Sequence, residues 1–266
     1  MRYKLYQPPP ALKNEIRYFW TLEGDPAEMT WAGIKLIPDG HLEITFNFGT
    51  PVTQRTLCQK TQRPDAFLGG MYPSAFFIEP TGYLQMMGAA FLPGKIQHFI
   101  SLPVADFCAK NVALHDIDTE WARLYEQLAE AVTVQERLKR LQEYLIGQLQ
   151  GASRMHPGIH QAIEWMFASR GNIPVGKLAK QVYMSERNFR RLFLGAVGMN
   201  PKKLSGILRI RHLVDRFEQN KTASLTQLAY ESGYFDQSHF IRDFQQIAGE
   251  TPGSYFSGLI PDMIRS

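Results

Sequence analysis

Cysteine is nearly absent: Cys58 and Cys108 are the only two in 266 residues, far apart and without paired spacing. A disulfide framework and a four-cysteine zinc site are excluded, and a reducing compartment is the simpler setting. No run of 18 apolar residues is present to span a bilayer, and Met1-Arg2-Tyr3-Lys4-Leu5-Tyr6-Gln7-Pro8-Pro9-Pro10 lacks the apolar segment of a secretion signal. A cytoplasmic chain with no membrane contact is expected. Histidine is also scarce. His41 alternates with Glu43, but a cupin-type metal site needs more histidine at short spacing, and His156 and His160 read as surface residues near a helix start. No metal and no cofactor is therefore expected.

What is present is enough for two domains. A chain of 266 residues exceeds one typical domain and lets each of two bury its own core. Apolar content of 44% and charged content of 20% are those of a globular protein. The net charge of +4 is unevenly placed: residues 1–150 carry net −2 and residues 151–266 net +6. A basic excess in one half suits a polyanionic partner there.

That basic half contains one pattern twice. Ser185, Phe189, Arg191, Phe193, Gly198 and Pro201 recur, displaced by 51, as Asp236, Phe240, Arg242, Phe244, Gly249 and Pro252. Leu178-Ala179 recurs as Leu228-Ala229, displaced by 50. Ser185 and Asp236 are side chains that cap a helix N-terminus. Phe189, Leu192 and Phe193, like Phe240, Phe244 and Ile247, recur at spacings of three and four and give one apolar face. Gly198 and Gly249 end the helices, with proline three residues beyond. Each copy reads as a helix-turn-helix.

Opposite the packing face, the first copy places Arg187, Arg190 and Arg191 together, and the second Gln237, Ser238, His239 and Arg242. A short helix, a tight turn and a second helix with polar groups near its start is the geometry that enters a major groove. There arginine can fork to guanine and glutamine to adenine. Between the copies, Pro201 opens a helix reaching about Asn220, roughly 30 Å at about 1.5 Å per residue, near the roughly 34 Å between successive groove faces. Its apolar residues, among them Leu204, Ile207, Leu208 and Leu213, cover more than half its circumference. Lys202, Arg209 and Arg216 form a polar strip at intervals of seven and, with Ser185, are candidate contacts to the DNA backbone, although a solvated strip explains the three equally well.

Taken with Ser185-Glu186-Arg187-Asn188-Phe189-Arg190-Arg191-Leu192-Phe193, Gly233-Tyr234, Gln237-Ser238-His239-Phe240, Arg242-Asp243-Phe244 and Gly249-Glu250-Thr251-Pro252, these residues resemble the AraC-type transcriptional regulators over about residues 160 to 258. The resemblance implies that the seven side chains named above face DNA, and makes double-stranded DNA, a small-molecule effector, RNA polymerase and a second copy the candidate partners. One departure stands out: Val182-Tyr183-Met184 has no glycine where Gly233 serves the second turn.

The first 115 residues read as β-rich. Leu42, Ile44, Phe46 and Phe48 alternate with Glu43, Thr45 and Asn47. Pro38-Asp39-Gly40 is a turn signal across which residues 34 to 37 are expected to pair as a hairpin. Further strands are expected at 76 to 79 and 83 to 92, with a short helix after Pro93-Gly94. Frequent turns suggest a barrel or sandwich, similar to the cupin-like sensing domains of AraC-type regulators. A ligand site is sought on the face of Glu43, Thr45 and Asn47, with His41, Glu79, Trp31, Tyr72 and Tyr83; the plainer reading makes these surface and core residues.

Thr133 and Glu136 form a capping box dividing helices 120–131 and 134–150. Leu138, Leu141, Leu145 and Leu149 make an apolar stripe, either a dimer contact or a cap on the β-rich domain. The expected class is α+β in two domains: a β-rich barrel or sandwich over 1–115, a helical linker over 116–152, and an all-α domain over 153–258 with two helix-turn-helix motifs joined by a long helix. Three function classes follow: a DNA-binding regulator modulated by a small molecule, a regulator whose first domain only dimerises, and an enzyme, either a cupin catalyst or a DNA-repair protein with a reactive cysteine. No nucleophile, zinc or acid/base motif supports the third.

Overall fold

The alternation at residues 42–48 makes a strand with two different faces, and both are covered. In the computed structural model, which describes residues 1–25, 33–56, 58–100, 103–149, 155–220 and 224–257, ten strands among the described residues form two antiparallel sheets. The strands are β1 (Arg2–Tyr6), β2 (Ile16–Gly24), β3 (Ile34–Leu36), β4 (Glu43–Asn47), β5 (Val52–Arg55), β6 (Lys60–Gln62), β7 (Ala66–Gly69), β8 (Phe76–Pro80), β9 (Leu84–Phe91) and β10 (Asn111–Ala113). One sheet runs β1-β2-β9-β4-β7-β10 and the other β3-β8-β5-β6.

Period-two alternation divides the residues of the larger sheet between two cores. Tyr18, Trp20, Leu22, Leu84 and Met86 pack with Ile34 and Ile78 of the smaller sheet. Phe19, Ile44, Phe46, Met87 and Ala89 belong to a second core shared with the helices. Thr45 and Asn47, on the other side of β4 from Ile44 and Phe46, are each 3% exposed. At residue 88 a Cβ would lie 2.7 Å from the Trp20 ring and 2.5 Å from the Ile44 carbonyl oxygen. Only glycine lets the indole lie this close to the strand.

The expected hairpin does not form. β3 pairs with β8, Ile34 opposite Ile78, whereas β4 lies between β7 and β9. Asp39 accepts from the His41 amide at 3.0 Å, and Gly40 has φ +85°. Pro38-Asp39-Gly40 is the expected turn, but it carries the chain from one sheet to the other.

Helices α1 (Leu114–Ile117), α2 (Thr119–Glu130) and α3 (Val134–Gln148) follow β10. Thr133 Oγ1 accepts from the Glu136 amide at 3.1 Å, so the capping residue does separate α2 from α3. Leu138, Leu141 and Leu145 are at most 6% exposed and join the core on the outer face of the larger sheet. These three leucines cap the β-rich domain, and Leu149, the fourth of the stripe, is half-buried against the same core. Residues 150–154, which include the end of the expected helical linker, lie outside the described residues.

The remaining helices are α4 (Pro157–Ala168), α5 (Val175–Gln181), α6 (Glu186–Val197), α7 (Pro201–Gln219), α8 (Leu225–Glu231), α9 (Gln237–Ala248) and α10 (Pro252–Ser257). Ser185 Oγ accepts from the Asn188 amide at 3.3 Å and Asp236 Oδ1 from the His239 amide at 2.7 Å. The departure at the first turn leaves the backbone unchanged in kind: Tyr183 has φ +56° where Gly233 has +84°. Tyr183 occupies a left-handed conformation that costs a side chain about 1–2 kcal/mol.

The β-rich domain touches both helix-turn-helix units. Gln97 donates to the Ala196 carbonyl at the end of α6 at 2.9 Å, and the Ala75 amide donates to the Ile247 carbonyl in α9 at 2.6 Å. Lys35, on β3, forms an ion pair with Glu250 just beyond α9. His41 lies against Phe167 of α4 with ring centroids 5.2 Å apart.

Gly88→Ala is expected to destabilise the protein by roughly 1–3 kcal/mol, because a methyl must displace both an indole and a backbone carbonyl. Urea unfolding followed by tryptophan fluorescence checks it. An unchanged midpoint would mean the Trp20 packing is looser than described.

Candidate nucleic-acid interface and an internal cavity

The two recognition helices start with capped N-termini and bury only one side. In α6, Phe189 and Phe193 are fully buried, whereas Arg187 and Arg191 are exposed and Arg190 is half-buried. Arg190 pairs with Glu186 at 3.2 Å and Arg191 donates to Asn188 at 3.0 Å. These local bonds hold two guanidinium groups along the helix surface, and Arg187 stands beside them without an ion pair among the described residues. In α9, Phe240 and Phe244 are buried, whereas Gln237, Ser238, His239 and Arg242 are exposed. All seven side chains singled out for DNA thus lie opposite the packing faces of their helices.

The backbone candidates divide. Ser185 is engaged as a cap, with the rest of its hydroxyl in solvent, and Lys202 is exposed near the start of α7. Arg216 is exposed and pairs with Glu231 at 3.4 Å. Arg209 is different. Its guanidinium reaches Asp243 of α9 at 3.2 Å, donates to the Gly171 carbonyl at 3.4 Å and lies 5.0 Å from the Tyr234 ring centroid. Asp243 also accepts from Tyr234 Oη at 3.3 Å and faces His239 Nε2 at 3.5 Å. Arg209 is therefore a clamp between α7 and α9, and its side chain is turned inward rather than along the surface strip.

Between the sheets of the β-rich domain lies a cavity of about 140 Å³. Its wall includes Tyr18, Trp20, Glu43, Arg63, Tyr72 and Phe76 from the strands and their connections. Ile207 and Arg211 of α7 close one side, so the helix joining the two DNA-facing units is also part of the cavity wall.

Burial sets the electrostatics. Glu43 accepts from Tyr18 Oη at 3.3 Å, and desolvation, reinforced by the charge of Asp39, pushes its carboxyl up to about 7. Burial holds Arg63 down to about 10 and raises the Tyr18 hydroxyl. Burial would also raise Asp39, but His41, the His41 backbone N–H, Arg211 and Arg17 outweigh it and hold that carboxyl low. His41 is depressed by burial and by Arg17.

Of the residues expected to hold a ligand, Glu43, Thr45, His41 and Tyr72 line the cavity. Asn47 does not: its side chain closes a turn, donating to the Thr50 carbonyl at 2.9 Å and accepting from the Gly49 amide at 3.2 Å. Tyr83 is 50% exposed, away from the cavity, and Glu79 pairs on the surface with Arg55 and Lys60. Trp31 lies outside the described residues. Sequence reasoning missed Tyr18, Trp20, Arg63 and Arg211. Alternation within β2 could have put Tyr18 and Trp20 on one face, but nothing local signals Arg63 or Arg211.

Two capped helices presenting polar side chains beside a shared packing helix define a double helix-turn-helix DNA-binding domain. A helix-turn-helix domain family matches residues 178–258, and a domain of unknown function (DUF6597) matches residues 4–113. The C-terminal segment is an AraC-type helix-turn-helix domain, and the protein is a DNA-binding regulator. No curated protein sequence matches the chain. Similar solved structures include ToxT from Vibrio cholerae with an unsaturated fatty acid bound, 13% identical, covering 98% of each chain with a TM-score of 0.44. The C-terminal domain of AraT from Geobacillus stearothermophilus is 18% identical, covering 42% of this chain and 95% of that one with a TM-score of 0.37. The AraC-like activator CuxR is 12% identical, covering 81% and 78% with a TM-score of 0.23. Among the described residues no helix is long and apolar enough to cross a membrane.

Two outcomes separate clamp from contact. Lys202→Ala is expected to lower the salt dependence of DNA binding by about one unit of slope, whereas Arg209→Ala is expected to lower stability by about 1–3 kcal/mol by stranding Asp243. Salt titrations of binding and thermal melts read the two effects. A normal melting temperature for Arg209→Ala would contradict the clamp.

Glu43 carries a pH signature. Its folded carboxyl lies above the ordinary 4.5, so the protonated form favours the fold. That contribution is fully present below about 4.5 and is lost as pH rises through about 7. Glu43→Gln is expected to be more stable than the parent at pH 8, by roughly 1–3 kcal/mol, and to lose the advantage by pH 5. Urea unfolding at both pH values checks it; a constant difference would place Glu43 in contact with bulk water.

Proposed function

We propose that the protein regulates transcription by reading two adjacent major grooves, with Arg187, Arg190 and Arg191 in one and Gln237, Ser238, His239 and Arg242 in the other, and that a small molecule in the β-domain cavity modulates this. The observation that carries the reading is the shared wall: Ile207 and Arg211 of α7 line the cavity, while the same helix packs between the two helix-turn-helix units. A ligand that prefers one placement of α7 would shift the relative positions of the recognition helices, and its differential affinity sets the size of the shift.

In this reading the protein works in the cytoplasm, and its partners are double-stranded DNA, the effector and, as for AraC-type regulators, RNA polymerase. A homodimer would use exposed residues such as Val132 and Ile146, because Leu138, Leu141 and Leu145 are internal. It acts by binding rather than by catalysis. Cys108 lies 3.6 Å from the Met71 carbonyl, and burial raises its thiol, opposite to what an activated nucleophile requires.

Arg187→Ala and Arg242→Ala are each expected to cost roughly 1–3 kcal/mol on the duplex bound most tightly, with little change on random DNA. Fluorescence anisotropy at fixed salt gives both values. Equal losses on both DNAs would show phosphate contact in place of base readout.

A further inference from the structure

The charges of the cavity do not all cancel. Lys35 pairs with Glu250, and Arg211 pairs with Asp215 at 2.9 Å. Asp39 is held by the His41 amide and by Arg17 at 3.9 Å. Arg63 and Glu43 are left, each in the other's electrostatic field but without a direct ion pair. Arg63 donates through Nε to Gln54 at 3.0 Å, and its guanidinium carbon lies 4.6 Å from the Phe67 centroid and 5.6 Å from that of Phe76. Its terminal amino groups form no ion pair among the described residues. Glu43 accepts from Tyr18 at 3.3 Å and has the Trp20 indole nearby as a second neutral donor, and likewise forms no ion pair among the described residues.

A guanidinium held against two rings is oriented before anything binds, and its free edge matches the two oxygens of a carboxylate. A carboxyl whose donors are both neutral keeps acceptor capacity for an ammonium group. The aromatic lining of the same cavity, which includes Trp20, Tyr72 and Phe76, suits an apolar body. The volume of about 140 Å³, close to the ~150 Å³ of an apolar cavity that holds benzene, limits the apolar body to a single ring, so the carboxylate and ammonium must lie against the polar wall.

We propose that the cavity receives a small zwitterion of the amino-acid class with an apolar, ring-sized side chain, its carboxylate forked by Arg63 and its ammonium held by Glu43. This rests on reading the cavity as a ligand site and names the ligand's chemistry.

Calorimetric titration of the full chain with L-phenylalanine, 3-phenylpropanoate and 2-phenylethylamine tests it, since the second lacks the ammonium and the third the carboxylate. L-Phenylalanine is expected to bind at least about tenfold more tightly than either analogue. Arg63→Gln should weaken L-phenylalanine and 3-phenylpropanoate but not 2-phenylethylamine, and Glu43→Gln should weaken L-phenylalanine and 2-phenylethylamine but not 3-phenylpropanoate. An analogue binding as tightly as L-phenylalanine would overturn the proposal, as would no binding of any of the three at millimolar concentration. If a variant fails to fold, the ranking on the unaltered chain decides alone. DNA affinity measured in parallel separates the two claims. Binding of L-phenylalanine with no change in DNA affinity supports the ligand assignment and counts against the regulatory reading, whereas intact DNA binding with no ligand binding counts against the assignment alone.

Discussion

Helix α7 is packed on nearly every side, and the rest of the molecule is arranged around that constraint. Leu204, Ile207, Ile210, Leu213 and Val214 are all fully buried. Arg209 ties the helix to α9 through Asp243, and Ile207 and Arg211 form part of the cavity wall. A helix with so little free surface cannot shift without repacking its neighbours, because close-packed interiors do not deform continuously. The two recognition helices are therefore positioned by one element, which is in turn in contact with the β-rich domain.

The interdomain contacts reinforce this coupling at both ends. The end of α6 accepts a hydrogen bond from Gln97, and α9 accepts one from the Ala75 amide. Lys35, only 6% exposed, is held by Glu250 beyond α9. A buried ammonium deprived of that carboxylate would carry a desolvation penalty of several kcal/mol, so this ion pair resists separation of the second unit from β3. Both recognition helices are thus in direct contact with the β-rich domain that contains the cavity.

The DNA-binding half was readable in the sequence because its determinants are local. Ser185 and Asp236 act within one turn of their own helices, and the paired phenylalanines repeat at helical spacing. Tyr183 shows the limit of such reading: its left-handed backbone is imposed by the turn, and its side chain gives no sign of it. The cavity was half readable. Glu43 and Thr45 stood out by alternation, but Arg63 and Arg211 reach the same space only through sheet pairing and domain packing. Arg209 shares a helical strip with Lys202 and Arg216 by spacing alone, because periodicity reports angle around a helix, not the partner that Asp243 supplies from 34 positions away. The leucines at 138, 141 and 145 likewise announced a buried face without saying what buries it, and the turn at 38–40 was legible while the sheet it leads to was not.

The central claim is that both helix-turn-helix units read sequence from a single rigid frame. Selection of binding sites from random duplex DNA by the full-length protein, at fixed salt, tests it most directly. The account predicts a two-box motif with box centres about one helical turn, roughly 10–10.5 base pairs, apart. Recovery of a single box, or of no motif with binding that only weakens as salt rises, would contradict it.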